Sequence, residues 1–130
     1  MNIIITGASG LVGYDLIRFL LQDNHKIIAI YRSNNILKKK LFHKNLIWKK
    51  INLKDQIYLK KRNDIIIHCA VVHSFSKQNN MDDYINSNII SLGNLIDFAK
   101  RSKTRMIINF STIAVYGKIN TKNLSENYAP

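Results

Sequence analysis

The sequence predicts an α/β protein built on a doubly wound parallel sheet of about five strands. Three observations carry that expectation. Short apolar, β-branched runs alternate along the chain with stretches of helical periodicity. A turn holding Gly7, Gly10 and Gly13 separates the first such run from the first helical stretch. The chain has 130 residues, 46% hydrophobic and 22% charged, which suits one globular domain over residues 1–130 rather than a disordered or fibrous chain.

Asn2–Thr6 is short, β-branched and ends at glycine, so it reads as a buried strand. Leu11–Gln22 places Leu11, Val12, Leu16, Ile17, Phe19, Leu20 and Leu21 on a helical stripe that Asp23-Asn24-His25 ends. Lys26–Tyr31 is a second buried strand. Residues 33–43 are ambiguous between weak helix and loop. Leu46–Ile51 reads as a third, shorter strand, and Lys54–Lys61 has room for one or two helical turns. Asp64–Ala70 is a fourth strand around Ile65-Ile66-Ile67, followed by a polar loop over Ser74–Asn80. Asp82–Ser102 is the longest helix, with Ile85, Ile89, Leu92, Leu95, Ile96 and Ala99 near helical spacing. Arg105–Ser111 is a fifth strand, and Gly117–Pro130 is polar and irregular. Such strands require right-handed crossovers.

Several classes drop out. A single cysteine, Cys69, excludes a disulfide framework and a multi-cysteine zinc site. His25, His43, His68 and His73 show no metal-ligand spacing, so no metal is expected. No run of about 18 apolar residues exists, so no membrane span is expected. The N-terminus lacks signal-peptide character, which makes a cytoplasmic setting the expectation. The net charge is +12, and ten of the twenty Lys and Arg fall between Lys38 and Arg62, among Phe42, Trp48 and Tyr58. That pattern raises a nucleic-acid surface as one reading. The preferred reading is compositional bias: Ile, Asn and Lys make up 53 residues, and the lysines fill solvated positions.

The sharpest motif is Thr6-Gly7-Ala8-Ser9-Gly10-Leu11-Val12-Gly13. Gly7 permits a tight turn off the strand, Gly10 lets backbone approach a pyrophosphate, and Gly13 lets the helix pack close to the sheet. The helix N-terminus then offers N–H groups and partial positive charge to phosphates. This is the Rossmann-type arrangement. Its cofactor-binding positions are Gly7, Ser9, Gly10, Leu11, Val12 and Gly13. The second strand of such folds commonly ends in a carboxylate that holds the ribose hydroxyls of NAD. Here Tyr31 and Arg32 stand there, and no carboxylate occurs between Asp23 and Asp55. Arg32 can pair with a 2′-phosphate through its planar donor fork, so NADP is preferred over NAD. A solvated arginine that tolerates both cofactors is the alternative.

Three further segments follow in order. They are Asp64-Ile65-Ile66-Ile67-His68-Cys69-Ala70, Asn88-Ile89-Ile90-Ser91-Leu92-Gly93-Asn94-Leu95, and Phe110-Ser111-Thr112-Ile113-Ala114-Val115-Tyr116-Gly117. With the glycine turn, they resemble the N-terminal portion of the extended short-chain dehydrogenase/reductases, the NAD(P)-dependent epimerase/dehydratase group acting on nucleotide sugars. Ser91 and Leu92 depart from that family's Gly-Thr. The resemblance implies that Asn52 and Leu53 meet the adenine, Asn52 standing where relatives often carry Asp. It implies that Cys69, Ala70 and Val71 line the path of the ribose and nicotinamide. It also implies that Asn88 holds backbone around the site, and that Thr112, with Ser111 beside it, is the catalytic hydroxyl.

The same resemblance implies a Tyr-x-x-x-Lys general base beyond the catalytic hydroxyl. Neither Tyr116 nor Tyr128 has a lysine four residues on. The expectation is therefore the cofactor half of an oxidoreductase-type epimerase, dehydratase or reductase on a nucleotide sugar, inactive alone and homodimeric when complete. The fifth strand and the apolar stripe of the long helix are then partly exposed, favouring association. A non-catalytic NADP-binding sensor or regulatory module is the alternative reading.

Overall fold

Thr6, at the end of the first strand, pairs in register with His68, and around this pair the sheet is organised. The computed structural model describes residues 1–33, 41–59, 63–72 and 80–116, together with 125 and 127. Among them the strands are β1 (Asn2–Thr6), β2 (Lys26–Tyr31), β3 (Leu46–Lys50), β4 (Ile65–His68) and β5 (Met106–Asn109). They form one parallel sheet in the order β3-β2-β1-β4-β5. The expected doubly wound parallel sheet is therefore observed. Helix α1 (Leu11–Gln22) links β1 to β2. Between β4 and β5 the chain is helical throughout Met81–Arg101, as α2 (Met81–Tyr84), a π-helical stretch (Ile85–Ile90) and α3 (Ser91–Arg101).

Alternation along buried strands sends successive side chains to opposite faces. Ile3, Ile5, Ile27, Ala29 and Ile67 pack with Ala8, Ile17 and Leu21 on the α1 side. Ile4, Ile28, Ile30 and Ile66 pack with Leu53, Ile57, Leu95, Phe98 and Ala99 on the other. Both faces are covered, which is why β1, β2 and β4 read as continuous apolar runs rather than alternating ones.

Several boundaries differ from the expectations. β3, β4 and β5 are shorter than Leu46–Ile51, Asp64–Ala70 and Arg105–Ser111, because the chain leaves the sheet beyond His68 and Asn109. The described part of Lys54–Lys61, residues 54–59, is turn and irregular chain rather than helix. Asn52 carries that turn: its carbonyl accepts the Asp55 N–H at 3.0 Å and its side chain accepts the Lys54 N–H at 3.3 Å. Asn94 then donates to the Leu53 and Lys54 carbonyls at 3.0 and 2.8 Å, occupying groups a helix would need. Residues 41–43 carry no regular structure, whereas residues 34–40, 60–62, 73–79 and most of Gly117–Pro130 lie outside the described residues.

The long helix starts at Met81, one residue before the expected Asp82, because Asn80 caps it by accepting the Asp83 N–H at 2.9 Å. Its buried face agrees with the expected stripe at Leu95 and Ala99 and differs elsewhere. Ser87, Ser91, Leu95, Phe98 and Ala99 face the sheet, whereas Ile85, Ile89 and Ile96 are exposed. The helix carries two apolar stripes, and the one holding the serines is turned inward. β5 presents Met106 and Ile108 to solvent, and Phe110 beyond it is exposed too. The expected partial exposure of strand and helix is present in these residues.

This assignment of faces predicts a contrast. Leu95→Ala, at a fully buried position, lowers unfolding free energy by about 2–5 kcal/mol. Ile89→Ala, at a side chain 66% exposed, changes it by less than about 0.5 kcal/mol. Urea denaturation followed by circular dichroism reads both; equal losses would contradict the inward stripe.

Candidate functional site

At Gly7 the backbone leaves β1 with φ +64°, a left-handed value. A Cβ there would stand 2.6 Å from the Cys69 carbonyl carbon and oxygen and 2.7 Å from the Ala70 nitrogen. Glycine thus lets the turn lie directly against the end of β4. At Gly13 a Cβ would stand 2.5 Å from the Gly7 oxygen, so the first turn of α1 also rests on the glycine turn. The Ala8 N–H donates to the Ile30 carbonyl at 3.1 Å, tying the same turn to β2.

Gly10 is the N-cap of α1, and no side chain caps that helix or places a carboxylate in its first turn. Helix geometry leaves the leading N–H groups without intrahelical acceptors, so the end is suited to an anion. Leu11 and Val12 are exposed there and Gly13 is buried.

A cleft of about 210 Å³ opens beside this turn, where β1 gives way to β4 on one side and β2 on the other. That position is the reversal of strand order, the usual ligand crevice of open α/β sheets. Of the residues singled out in the sequence, Gly7, Ser9, Gly10, Arg32, Asn52, Leu53, Cys69, Ala70 and Val71 line it. Leu11, Val12 and Gly13 do not; they form the helix end beside it. Tyr31, noted in the sequence beside Arg32, lines it as well, and so do Ile30, Ser33, Ile51, Val72, Ser87 and Ser91, which the sequence reading did not assign to the site. The spacing Ser87, Ser91, Leu95 was the available signal, since it places both serines on the buried helix face.

A second cleft, also about 210 Å³, shares the Cys69–Val71 wall and adds His68, Asn88, Leu92, Asn109 and Phe110. Each alone is smaller than the ~300–1,000 Å³ of drug-sized pockets. An extended ligand would have to follow their common wall. Asn88 fixes that wall: its side chain accepts the Val72 N–H at 2.9 Å and donates to the Val72 carbonyl at 3.1 Å. Ser111 and Thr112 are exposed beyond β5 and line neither cleft. The Thr112 carbonyl accepts the Val115 N–H at 3.2 Å, opening a short 3₁₀ turn over Ile113–Tyr116.

Cys69 of the shared wall and His68 beside it are neutral near pH 7. Burial pushes the Cys69 thiol up to about 11, so it is a poor nucleophile and a half-buried spacer. Burial lowers the pKa of His68, whose Nδ1 lies 2.6 Å from Thr6 Oγ1. Among the described residues no cluster of His, Cys, Asp and Glu could hold a metal ion, and no helix is long and apolar enough to cross a membrane. Trp48, one of the aromatics in the basic stretch, is half-buried and donates its indole N–H to the Leu41 carbonyl at 2.9 Å. Its ring packs edge-on against Tyr31.

Two outcomes follow. Gly7→Ala forces a left-handed alanine into the Cys69–Ala70 backbone and costs at least about 2 kcal/mol in a denaturant titration. For His68, the unfolded chain binds a proton near pH 6.5 that the folded chain resists. Stability is therefore full above that value and falls as pH drops below it. The urea midpoint should decline from about pH 7 to about pH 5.5, and the decline should flatten in His68→Gln.

Comparison with known proteins points to one family. A model of the NAD dependent epimerase/dehydratase family matches residues 3–130. Protein CapI of Staphylococcus aureus is 22% identical over 96% of this chain and 42% of its own length. An uncharacterized protein of Methanocaldococcus jannaschii is 30% identical over 89% of this chain and 41% of its own. The chain thus spans about two-fifths of the length of these relatives. Among solved structures, the UDP-glucuronic acid 4-epimerase of Bacillus cereus in complex with NAD superposes with TM-score 0.81 at 22% identity, covering 100% of this chain and 45% of that one. The UDP-Glc/GlcNAc 4-epimerase of Campylobacter jejuni gives TM-score 0.82 at 22% identity, covering 97% and 41%. At such identities these two likenesses show the fold. The match to the family model over nearly the whole sequence, together with the glycine turn and the cleft beside it, makes this chain a member of the NAD dependent epimerase/dehydratase family.

Proposed function

We propose that the chain binds a nicotinamide dinucleotide along the joined clefts, as the cofactor-binding part of an epimerase, dehydratase or reductase that acts on a nucleotide sugar. The observation that carries this reading is the glycine turn. Its missing Cβ atoms leave backbone against backbone at Gly7 and open an uncapped helix end onto a crevice. Solved relatives described as complexes with NAD, and as epimerases of UDP sugars, support the ligand class.

In this reading Gly7, Ser9, Gly10 and the leading N–H groups of Leu11, Val12 and Gly13 take the pyrophosphate. Arg32, Asn52 and Leu53 take the adenosine end. Cys69, Ala70 and Val71 run beneath the ribose and nicotinamide, and Asn88 keeps that stretch in place through Val72. A bound nicotinamide supplies a hydride acceptor and donor; the chain orients it and excludes water. Thr112, with Ser111, supplies a hydroxyl for the substrate oxygen. No Tyr-x-x-x-Lys occurs in these 130 residues, so turnover calls on a base from outside them. The exposed Ile85 and Ile89 support a homodimer as the working assembly. A half-buried, protonated Cys69 suits a cytoplasmic setting.

The cofactor is NADP in preference to NAD, because Tyr31 and Arg32 replace the usual carboxylate. Equilibrium binding tests both levels of the reading. NADP⁺ should bind about tenfold or more tightly than NAD⁺, and Arg32→Ala should remove that preference while leaving NAD⁺ nearly unchanged. Equal affinities would sink the NADP preference; no binding of either dinucleotide would sink the site.

A further inference from the structure

Arg32 is exposed at the end of β2, yet its guanidinium does not simply extend into solvent. Nη1 reaches across the first cleft to Ser87 Oγ, at 3.5 Å, a residue 55 positions away on the long helix. Ser87 is nine-tenths buried, so its hydroxyl is a fixed point rather than a mobile surface group. Among the described residues Arg32 has no carboxylate partner; the single ion pair there joins Arg18 to Asp15. A guanidinium has five N–H donors in a planar fork. The Ser87 contact occupies one of them, and does so at the outer limit of hydrogen-bonding distance.

The helix is built to hold that hydroxyl in place. Ser91, also buried, sends both its backbone N–H and its Oγ to the Asn86 carbonyl, the latter at 2.9 Å. The Ser91 hydroxyl is thereby committed to the π-helical turn. Ser87, four residues earlier on the same face, presents its oxygen to Arg32. One residue further, Asn88 pins Val72. The π-helical stretch therefore anchors the cleft wall and the arginine together.

We propose that Ser87 is a positioning residue that aims the Arg32 fork across the adenosine end of the cleft, so that discrimination for a 2′-phosphate belongs to the Arg32–Ser87 pair. This rests on the dinucleotide reading of the cleft. Ser87 does not touch the phosphate; it limits the rotamers of a long side chain that would otherwise lose entropy on binding.

The test is titration of the whole chain with NADP⁺ and NAD⁺ for wild type, Ser87→Ala, Ser87→Thr, Arg32→Ala and the Ser87→Ala/Arg32→Ala double variant, with thermal midpoints checking folding. Ser87→Ala should weaken NADP⁺ by about three- to tenfold, leave NAD⁺ within about twofold, and add nothing once Arg32 is gone. Ser87→Thr, which keeps the hydroxyl, should retain the selectivity. Equal weakening of both dinucleotides, no weakening, or a full loss from Ser87→Ala in the Arg32→Ala background overturns the proposal while leaving the cofactor site standing. Failure of wild type to bind either dinucleotide overturns the site itself and the proposal with it.

Discussion

Backbone-to-backbone contact between the β1–α1 turn and the end of β4 is the constraint from which the rest of the site follows. Gly7 adopts a left-handed φ and sits where any Cβ would meet Cys69 and Ala70. Because these segments touch, β4 must run beside β1, and its continuation over Cys69–Val72 must leave the sheet next to the mouth of α1. The cleft is the space left between that departing chain and the ends of β2 and β3. Gly13 extends the same logic by one helical turn, since its missing side chain lets α1 begin against Gly7 rather than above it. Replacing either glycine would move the helix end, and with it the uncapped N–H groups at the start of α1.

Segments that have left a sheet carry backbone groups in need of partners. Here the long helix supplies them. Asn88 takes both groups of Val72, Asn94 takes the carbonyls of Leu53 and Lys54, and Arg101 donates to the Ile57 carbonyl at 3.4 Å. These bonds connect the helix between β4 and β5 to the chain after β3 and after β4, two walls of one cleft. Apolar packing of Leu95, Phe98 and Ala99 against Ile28, Ile30 and Ile66 sets the helix on the sheet. The amides then fix the walls relative to it. A helix that only filled the core would have no need of asparagine at two inward positions.

Much of this was legible in the sequence because burial on both faces leaves a plain signature. β1, α1 and β2 fall where the apolar runs place them, and the glycine turn marks the crevice. The expectations miss where tertiary contacts overrule local pattern. Lys54–Lys61 has room for one or two helical turns, yet in its described part Asn94 captures the Leu53 and Lys54 carbonyls such a helix would use. Ile85 and Ile89 share the helical stripe with Leu95 and Ala99, yet the sheet takes Ser87 and Ser91 at that end of the helix and leaves the isoleucines exposed. A serine on an inward face carries no hydrophobic signal of its own, so Ser87 and Ser91 are legible only through their helical spacing to Leu95. Thr112 and Ser111 were located by motif, and the described structure sets them beyond β5, outside both clefts.

Charge needs the same separation of scale. A net charge of +12 raises the local concentration of any anion, and falls off over a Debye length of about 10 Å in ordinary salt. NAD and NADP are both anionic, so a diffuse field draws both toward the crevice. Choosing between them requires a donor set fixed in direction where the two differ. Among the described residues neither cleft is lined by a carboxylate, and burial keeps Cys69 and His68 uncharged. Among the described residues of the two linings Arg32 is then the one charged side chain, and Gly10 at the N-terminus of α1 lines the same cleft. Lysines distributed over a surface cannot take that role, because they attract without orienting. On the proposed dinucleotide reading, selectivity in this cleft would depend on what holds the Arg32 guanidinium in place, and far less on how basic the chain is.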